Sequence, residues 1–280
     1  MKKVIINNLK DFELDHIFEC GQCFRWKKQA DGSYTGVIKQ GVVNIKKEND
    51  TATICGEVLG DIEEIFNDYF DMNTDYGEIK AKLCQSDDNM KLASEYGTGI
   101  RILHQDAWEM VISFIISAAN NIPRISKTIE NISKEYGKEI KFNGETFYLF
   151  PTPEELSRAS IEDLRKLNLG FRDKYVYSVT QKMINGEVDL EKIKLLPIKE
   201  AKKELVKLPG IGAKVADCIL LFSMERKDAF PVDTWIKKVM NELYIESTNI
   251  TKINEYASNK FGLYAGIAQQ YLFYYKRENK

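Results

Sequence analysis

Residues 208–214 read Leu-Pro-Gly-Ile-Gly-Ala-Lys and lie between two segments of helical pattern. Pro209 stops the first helix, Gly210 and Gly212 permit backbone angles closed to other residues, and Ile211 can pin the turn into a core. Free of side chains, such a turn brings backbone N–H groups close to a phosphate, and the N-terminus of the following helix adds a favourable partial charge. Lys214 stands one residue inside that second helix, beside the phosphate site. Asp233 follows 19 residues later in Phe230-Pro231-Val232-Asp233-Thr234, at a helix N-cap. Read singly, Lys214 is a solvated helix-end lysine, Asp233 a cap and the glycine turn an ordinary helix–helix connection.

A second spacing with chemical potential is Cys20-Gly-Gln-Cys23. The chain has five cysteines, and only this pair is closely spaced. Zinc would need two further ligands, and no second CxxC or Cys/His pair supplies them. A thioredoxin-like site would want a preceding strand and a following helix. The pair therefore reads as two thiols flanking a tight glycine turn. No metal site is expected.

The elements that must position these residues change character along the chain. Up to about residue 98 the pattern is β-rich. Runs at 23–28, 34–39, 42–47 and 51–55 hold β-branched and aromatic residues, separated by Asp-Gly-Ser, Gln-Gly and Asn-Asp. This is hairpin punctuation, and it predicts an antiparallel sheet followed by helices at 61–70 and 75–83. From Gly99 helical periods dominate. Asp106 caps an apolar helix to residue 118, and Ile122, Ile125, Ile129 and Ile132 mark another over 122–136. Thr152 and Pro153 open a third. Further helices are expected at 160–167, 172–185, 199–207, 213–224, 233–244 and 263–276. The reading is α+β: an N-terminal antiparallel sheet domain over 1–98, then a mainly helical domain over 99–280 with the hairpin unit at about 199–224.

With 44% hydrophobic and 29% charged residues the composition is that of a globular protein. The net charge of −2 argues against a uniformly basic surface, yet Glu191–Lys214 carries seven lysines against three acids. The N-terminus lacks the apolar core of a secretory signal, and the longest uncharged apolar stretch, residues 110–119, is too short for a bilayer. A soluble, cytoplasmic, monomeric protein with no membrane contact is expected.

The turn at 208–214 resembles the helix-hairpin-helix DNA-binding motif. Together, Lys214 and Asp233 match the signature of the helix-hairpin-helix base-excision glycosylases. That resemblance implies that a neutral Lys214 amine attacks C1′ of a damaged nucleotide, which requires desolvation or nearby positive charge to lower its pKa. It also implies that Asp233 stabilises the positive charge developing on the sugar. Gly210, Ile211 and Gly212 would hold a DNA phosphate, a contact blind to sequence.

Four ordered segments narrow the likeness to the eukaryotic-type 8-oxoguanine DNA glycosylase/AP lyases. They are Gly21-Gln-Cys-Phe-Arg-Trp26; Arg101-Ile-Leu-His-Gln-Asp106 running into Phe114-Ile-Ile-Ser117 and Asn120-Asn-Ile-Pro-Arg-Ile125; Leu208–Cys218; and Ala265–Phe273. The partner implied is double-stranded DNA carrying 8-oxoguanine opposite cytosine, and a bacterial source is expected. By this resemblance the Gly21 carbonyl accepts from N7–H of the oxidised base but faces a lone pair on guanine, a mismatch worth roughly 1–3 kcal/mol. Gln269 would bond the Watson–Crick edge, with Cys218 and Phe273 against the two faces. Asn120, Asn121, Arg124 and Arg172 would serve the gap and the orphaned cytosine, and Phe171 would wedge into the duplex. Three positions depart from the family: Ala119 and Phe171 stand where relatives have Asn and Tyr, and Trp235 where they often have His. No cofactor is implied. The hairpin carbonyls could hold a structural cation, but an iron–sulfur cluster needs four closely spaced C-terminal cysteines and Cys218 is the last here.

Overall fold

The computed structural model describes residues 1–279. The expected sheet is present, with one strand more than the pattern announced. Strands β1 (Lys2–Ile6), β2 (Trp26–Lys28), β3 (Tyr34–Ile38), β4 (Gly41–Glu48) and β5 (Thr51–Val58) form one antiparallel sheet in the order β1-β5-β4-β3-β2. β1 joins at the edge through a distant pairing, Val4 opposite Ile54, which local pattern cannot announce. The sheet buries Tyr34, Ile45 and Ile54 against Phe12, Phe66 and Phe70. Trp26 lies flat on Gly36, where a Cβ would come within 2.2 Å of its ring, and stacks on Phe18 at 4.1 Å.

Helix caps fall where polar side chains meet apolar runs. Asp106 accepts from the Glu109 N–H and starts helix Ala107–Ser117, buried at every position from Trp108 to Ile116. Thr152 and Glu155 complete a capping box at Pro153–Leu156. Helix Ile122–Tyr136 matches its expected bounds. The helix expected over 160–167 covers only Ile161–Leu164. It then widens into a π turn over Arg165–Leu169, because Asn168 and Gly170 take φ +71° and +58°. Helices Leu14–Glu19, Asp88–Tyr96, Leu190–Leu195 and Ile250–Phe261 were not foreseen. A second hairpin, β6 (Glu139–Phe142) with β7 (Glu145–Tyr148), turns on Asn143-Gly144 with both φ values positive. It lays Phe142 against Val37 and Val42 of the large sheet.

The two main cores do not divide at a single point of the chain. Cys20, Phe24, Tyr76, Ile79, Leu83, Met90 and Ala93, all before residue 98, pack in the helical core. Among the described residues no helix is long and apolar enough to cross a membrane.

Candidate active site

The hairpin sits between helices Ile198–Val206 and Ala213–Ser223. Gly210 adopts φ +84°, and a Cβ there would come 2.9 Å from the Tyr175 ring, so both its angle and its packing call for glycine. Ile211 is buried, as expected of a pin, and Gly212 faces open space. The turn thus offers an unobstructed backbone to an anion at the head of the second helix.

Lys214 leads that helix. Its Nζ lies 5.6 Å from the centroid of Phe114, a ring contributed by the buried helix Ala107–Ser117. One turn on, Cys218 is buried. Burial pushes its thiol up to about 11, Lys214 pulls it back by charge and a hydrogen bond, and Asp217 and Asp233 push it further up. The thiol, the amine and both carboxylates therefore share one electrostatic neighbourhood. Asp233 caps helix Thr234–Leu243 and accepts from the Ile236 N–H at 2.8 Å. The cap fixes the carboxylate on the lining it shares with Lys214.

These residues line a narrow recess of about 60 Å³, closed by Gly21, Phe114, Gln269, Gln270 and Phe273. Gly21 adopts φ +87°, and the edge of the Phe273 ring is 3.5 Å from where its Cβ would be. Gln269 is only 4% exposed, and its Oε1 has no hydrogen-bond partner among the described residues. A buried unpaired acceptor costs about 1–3 kcal/mol, so this one marks a place where a ligand donor is wanted.

The Cys20–Cys23 pair holds no site of its own. Both thiols are free and buried, Cys20 in the helical core and Cys23 in the sheet core. They bond to the carbonyls of Ile17 and Phe18, and burial raises both pKa values. No group of three or more metal-ligating side chains lies together among the described residues. What the motif positions is its interior: Gln22 donates to the Ile17 and Arg101 carbonyls and accepts from the Leu103 N–H.

A second cluster stands apart from the recess. Phe171 is 62% exposed, at the tip of the turn before helix Asp173–Ile184. Arg172 packs its guanidinium 4.3 Å from that ring and is itself buried. It donates to the carbonyls of Ala118 and Ala119, and burial, followed by the charge of Arg124, lowers its pKa. Ala119 holds φ +50°. Asn120 is tied to the Ile116 carbonyl, and Asn121 caps the helix that carries the exposed Arg124. Phe171, Arg172, Arg124 and the asparagine turn are thus neighbours, but Arg172, Asn120 and Asn121 are occupied within the protein. Trp235 lies near Lys238, whose Nζ is 5.4 Å from its ring. Sequence reasoning quoted Phe114 and Gln270 only within the resembling segments and gave neither a role; the partner of Gln270 lies 250 residues away.

A glycine hairpin that presents bare backbone, with a lysine at its head and a recess behind, places the chain among helix-hairpin-helix DNA repair proteins. Residues 4–111 match the 8-oxoguanine DNA glycosylase N-terminal domain, and residues 112–261 match the HhH-GPD superfamily base excision DNA repair protein model. The chain belongs to the HhH-GPD superfamily. It is 34% identical to a probable N-glycosylase/DNA lyase of Methanothermobacter thermautotrophicus, over 78% of this chain and 74% of that one. It is 30% identical to the N-glycosylase/DNA lyase OGG1 of Arabidopsis thaliana, over 91% and 75%. The structure of Clostridium acetobutylicum 8-oxoguanine glycosylase/lyase with double-stranded DNA containing cytosine opposite 8-oxoguanine superposes with a TM-score of 0.95. It is 45% identical, covering 99% of this chain and 96% of that one.

Proposed function

We propose that this protein is a bifunctional DNA glycosylase/AP lyase that flips 8-oxoguanine out of duplex DNA, excises it and nicks the strand, as a step of base excision repair. The observation that carries the reading is the recess itself: a lysine and a capped aspartate on one wall, and a buried, unpartnered glutamine acceptor on the other. Lys214 Nζ forms a bond to C1′ as the glycosidic C1′–N9 bond breaks, and the base leaves with a proton. Asp233, its carboxylate fixed by the Ile236 N–H, offsets the positive charge that develops on the sugar. The sugar ring opens to the Schiff base. Loss of a C2′ proton then expels the 3′ phosphate by β-elimination.

In this reading the oxidised base lies between Cys218 and Phe273, donates from N7 to the Gly21 carbonyl, and meets Gln269 along its Watson–Crick edge. Gly210, Ile211 and Gly212 take a DNA phosphate. Phe171 enters the stack, and Asn120, Asn121, Arg124 and Arg172 face the gap and the orphaned cytosine. Side chains and backbone groups of this one chain carry every step, so the reading calls for no cofactor and no second subunit. A repair role puts the protein beside the genome, which in a bacterial cell is the cytoplasm. The test is a duplex with one 8-oxoguanine opposite each of the four bases, with released base measured by mass spectrometry and nicking on a gel. Release and nicking from the cytosine pair are expected. Release of 8-oxoguanine without nicking would instead indicate a monofunctional enzyme.

A further inference from the structure

Four successive carbonyls, from Glu19 to Gln22, belong to the segment whose middle residues, Cys20 and Gly21, line the recess. Three are taken by side chains sent from elsewhere. Arg277 donates to the Glu19 carbonyl, Gln270 to that of Cys20 at 2.8 Å, and Gln105 to that of Gln22 at 2.9 Å. The fourth, on Gly21, receives no donor among the described residues, and Gly21 lines the recess.

The pattern is selective. Gln270 is 2% exposed and spends its amide on one backbone oxygen of a loop 250 residues away. Arg277 stands beside Gly21 itself, with Nη1 3.4 Å from where a Cβ would be. Both side chains come from the terminal helix Ala265–Glu278, which also carries Gln269 and Phe273. One helix therefore supplies two walls of the recess and the ties that hold the opposite wall.

We propose that Gln270 and Arg277 are positioning residues: they saturate the neighbouring carbonyls, hold the loop rigid and leave the Gly21 carbonyl as the acceptor open to a base. This rests on the reading of Gly21 as the acceptor for N7–H of 8-oxoguanine. An acceptor held rigidly distinguishes a donor from a lone pair, whereas a mobile one can turn away from the mismatch and discriminates less. These residues therefore act on recognition of the oxidised base and not on the chemistry at C1′.

The experiment compares two activities of the same protein: excision of 8-oxoguanine opposite cytosine, and nicking of a preformed abasic site, which presents no base to the recess. Gln270→Met and Arg277→Met are measured beside wild type, with Arg277→Lys as the conservative variant. Excision is expected to fall about tenfold in each Met variant, the scale of one lost buried hydrogen bond, with abasic-site nicking falling far less than excision. Arg277→Lys, which keeps a donor, should recover most of the loss. Excision and nicking that fall together, or excision that does not fall, would overturn the proposal. A wild type that nicks abasic sites but leaves 8-oxoguanine in place would instead overturn the reading of Gly21, and the wild-type arm tells the two apart.

Discussion

The recess around Lys214 and the cluster around Arg172 differ in readiness. In the recess Lys214 and Asp233 are half-buried and Cys218 and Gln269 buried, oriented by helix caps and backbone ties, with two acceptors left open: the Gln269 amide oxygen and the Gly21 carbonyl. In the cluster Arg172, Asn120 and Asn121 are satisfied internally, and Arg124 is exposed. Arg172 is held by the carbonyls of Ala118, Ala119 and Leu169, Asn120 by that of Ile116, and Asn121 by its own helix. Preorganised charge lowers a barrier because nothing has to reorient during the reaction. Groups that meet a second strand need no such fixity until the strand arrives. The lesion side is built in advance, and the gap side is stored closed.

The sharpest way to break that contrast is to remove charge from the recess without disturbing the fold. Asp233→Asn keeps a good N-cap, so stability should change by less than about 0.5 kcal/mol, while excision falls by about 10²–10³-fold. Single-turnover kinetics beside thermal melting would measure both. An excision rate within a few-fold of wild type would remove Asp233 from the proposed role.

The wall behind Lys214 makes a pH prediction. Glu109 is fully buried on the helix that supplies Phe114, and burial raises its pKa from 4.5 to about 7, with Arg25 at 3.9 Å opposing the rise. The folded state thus binds this proton more tightly than the unfolded chain. The stability it contributes is full below about pH 4.5 and is lost as pH rises through about 7. Between pH 5 and 8 wild type should lose about 2–3 kcal/mol on this account, and Glu109→Gln should flatten that slope in denaturant titrations.

On the gap side the effects should be smaller and should depend on the DNA. Phe171 is exposed, so Phe171→Ala should leave melting within about 0.5 kcal/mol of wild type. Excision from duplex should drop about tenfold, because extrusion costs a few kcal/mol and the wedge supplies part of it, while excision from single strands stays level. Equal losses on both substrates would show that Phe171 does something other than open the stack. Smallest of all, Ala119 holds φ +50°, a conformation asparagine tolerates better. Ala119→Asn should stabilise the protein by about 0.5–1 kcal/mol, readable as a rise in Tm.

Much of the recess was legible in sequence because its signals are local. The glycine turn, the lysine behind it and the Pro-Val-Asp cap each lie within a few residues, and the structure places Lys214, Cys218, Asp233, Gln269, Phe273 and Gly21 around one space. What could not be read was long-range. β1 pairs with a strand some fifty residues on, and Gln270 reaches Cys20 across 250. Helix Leu190–Leu195 is too short to mark a face before the core it joins is known, whereas Ile250–Phe261 carries Ile250, Ile253, Ala257 and Phe261 at three-to-four spacing, a face the sequence reading passed over. The cores cross the boundary near residue 98 for the same reason: helices Tyr76–Leu83 and Asp88–Tyr96 follow the sheet in the chain but find their apolar partners in the helical body.

The central claim is that Lys214 is the nucleophile, and borohydride trapping tests it most directly. A duplex with one 8-oxoguanine opposite cytosine is incubated with wild type or Lys214→Gln in the presence of borohydride, and covalent complexes are separated by electrophoresis. A covalent adduct that requires both the lesion and Lys214 is the predicted result. An adduct that survives Lys214→Gln, or none from a wild type that still releases the base, would contradict it.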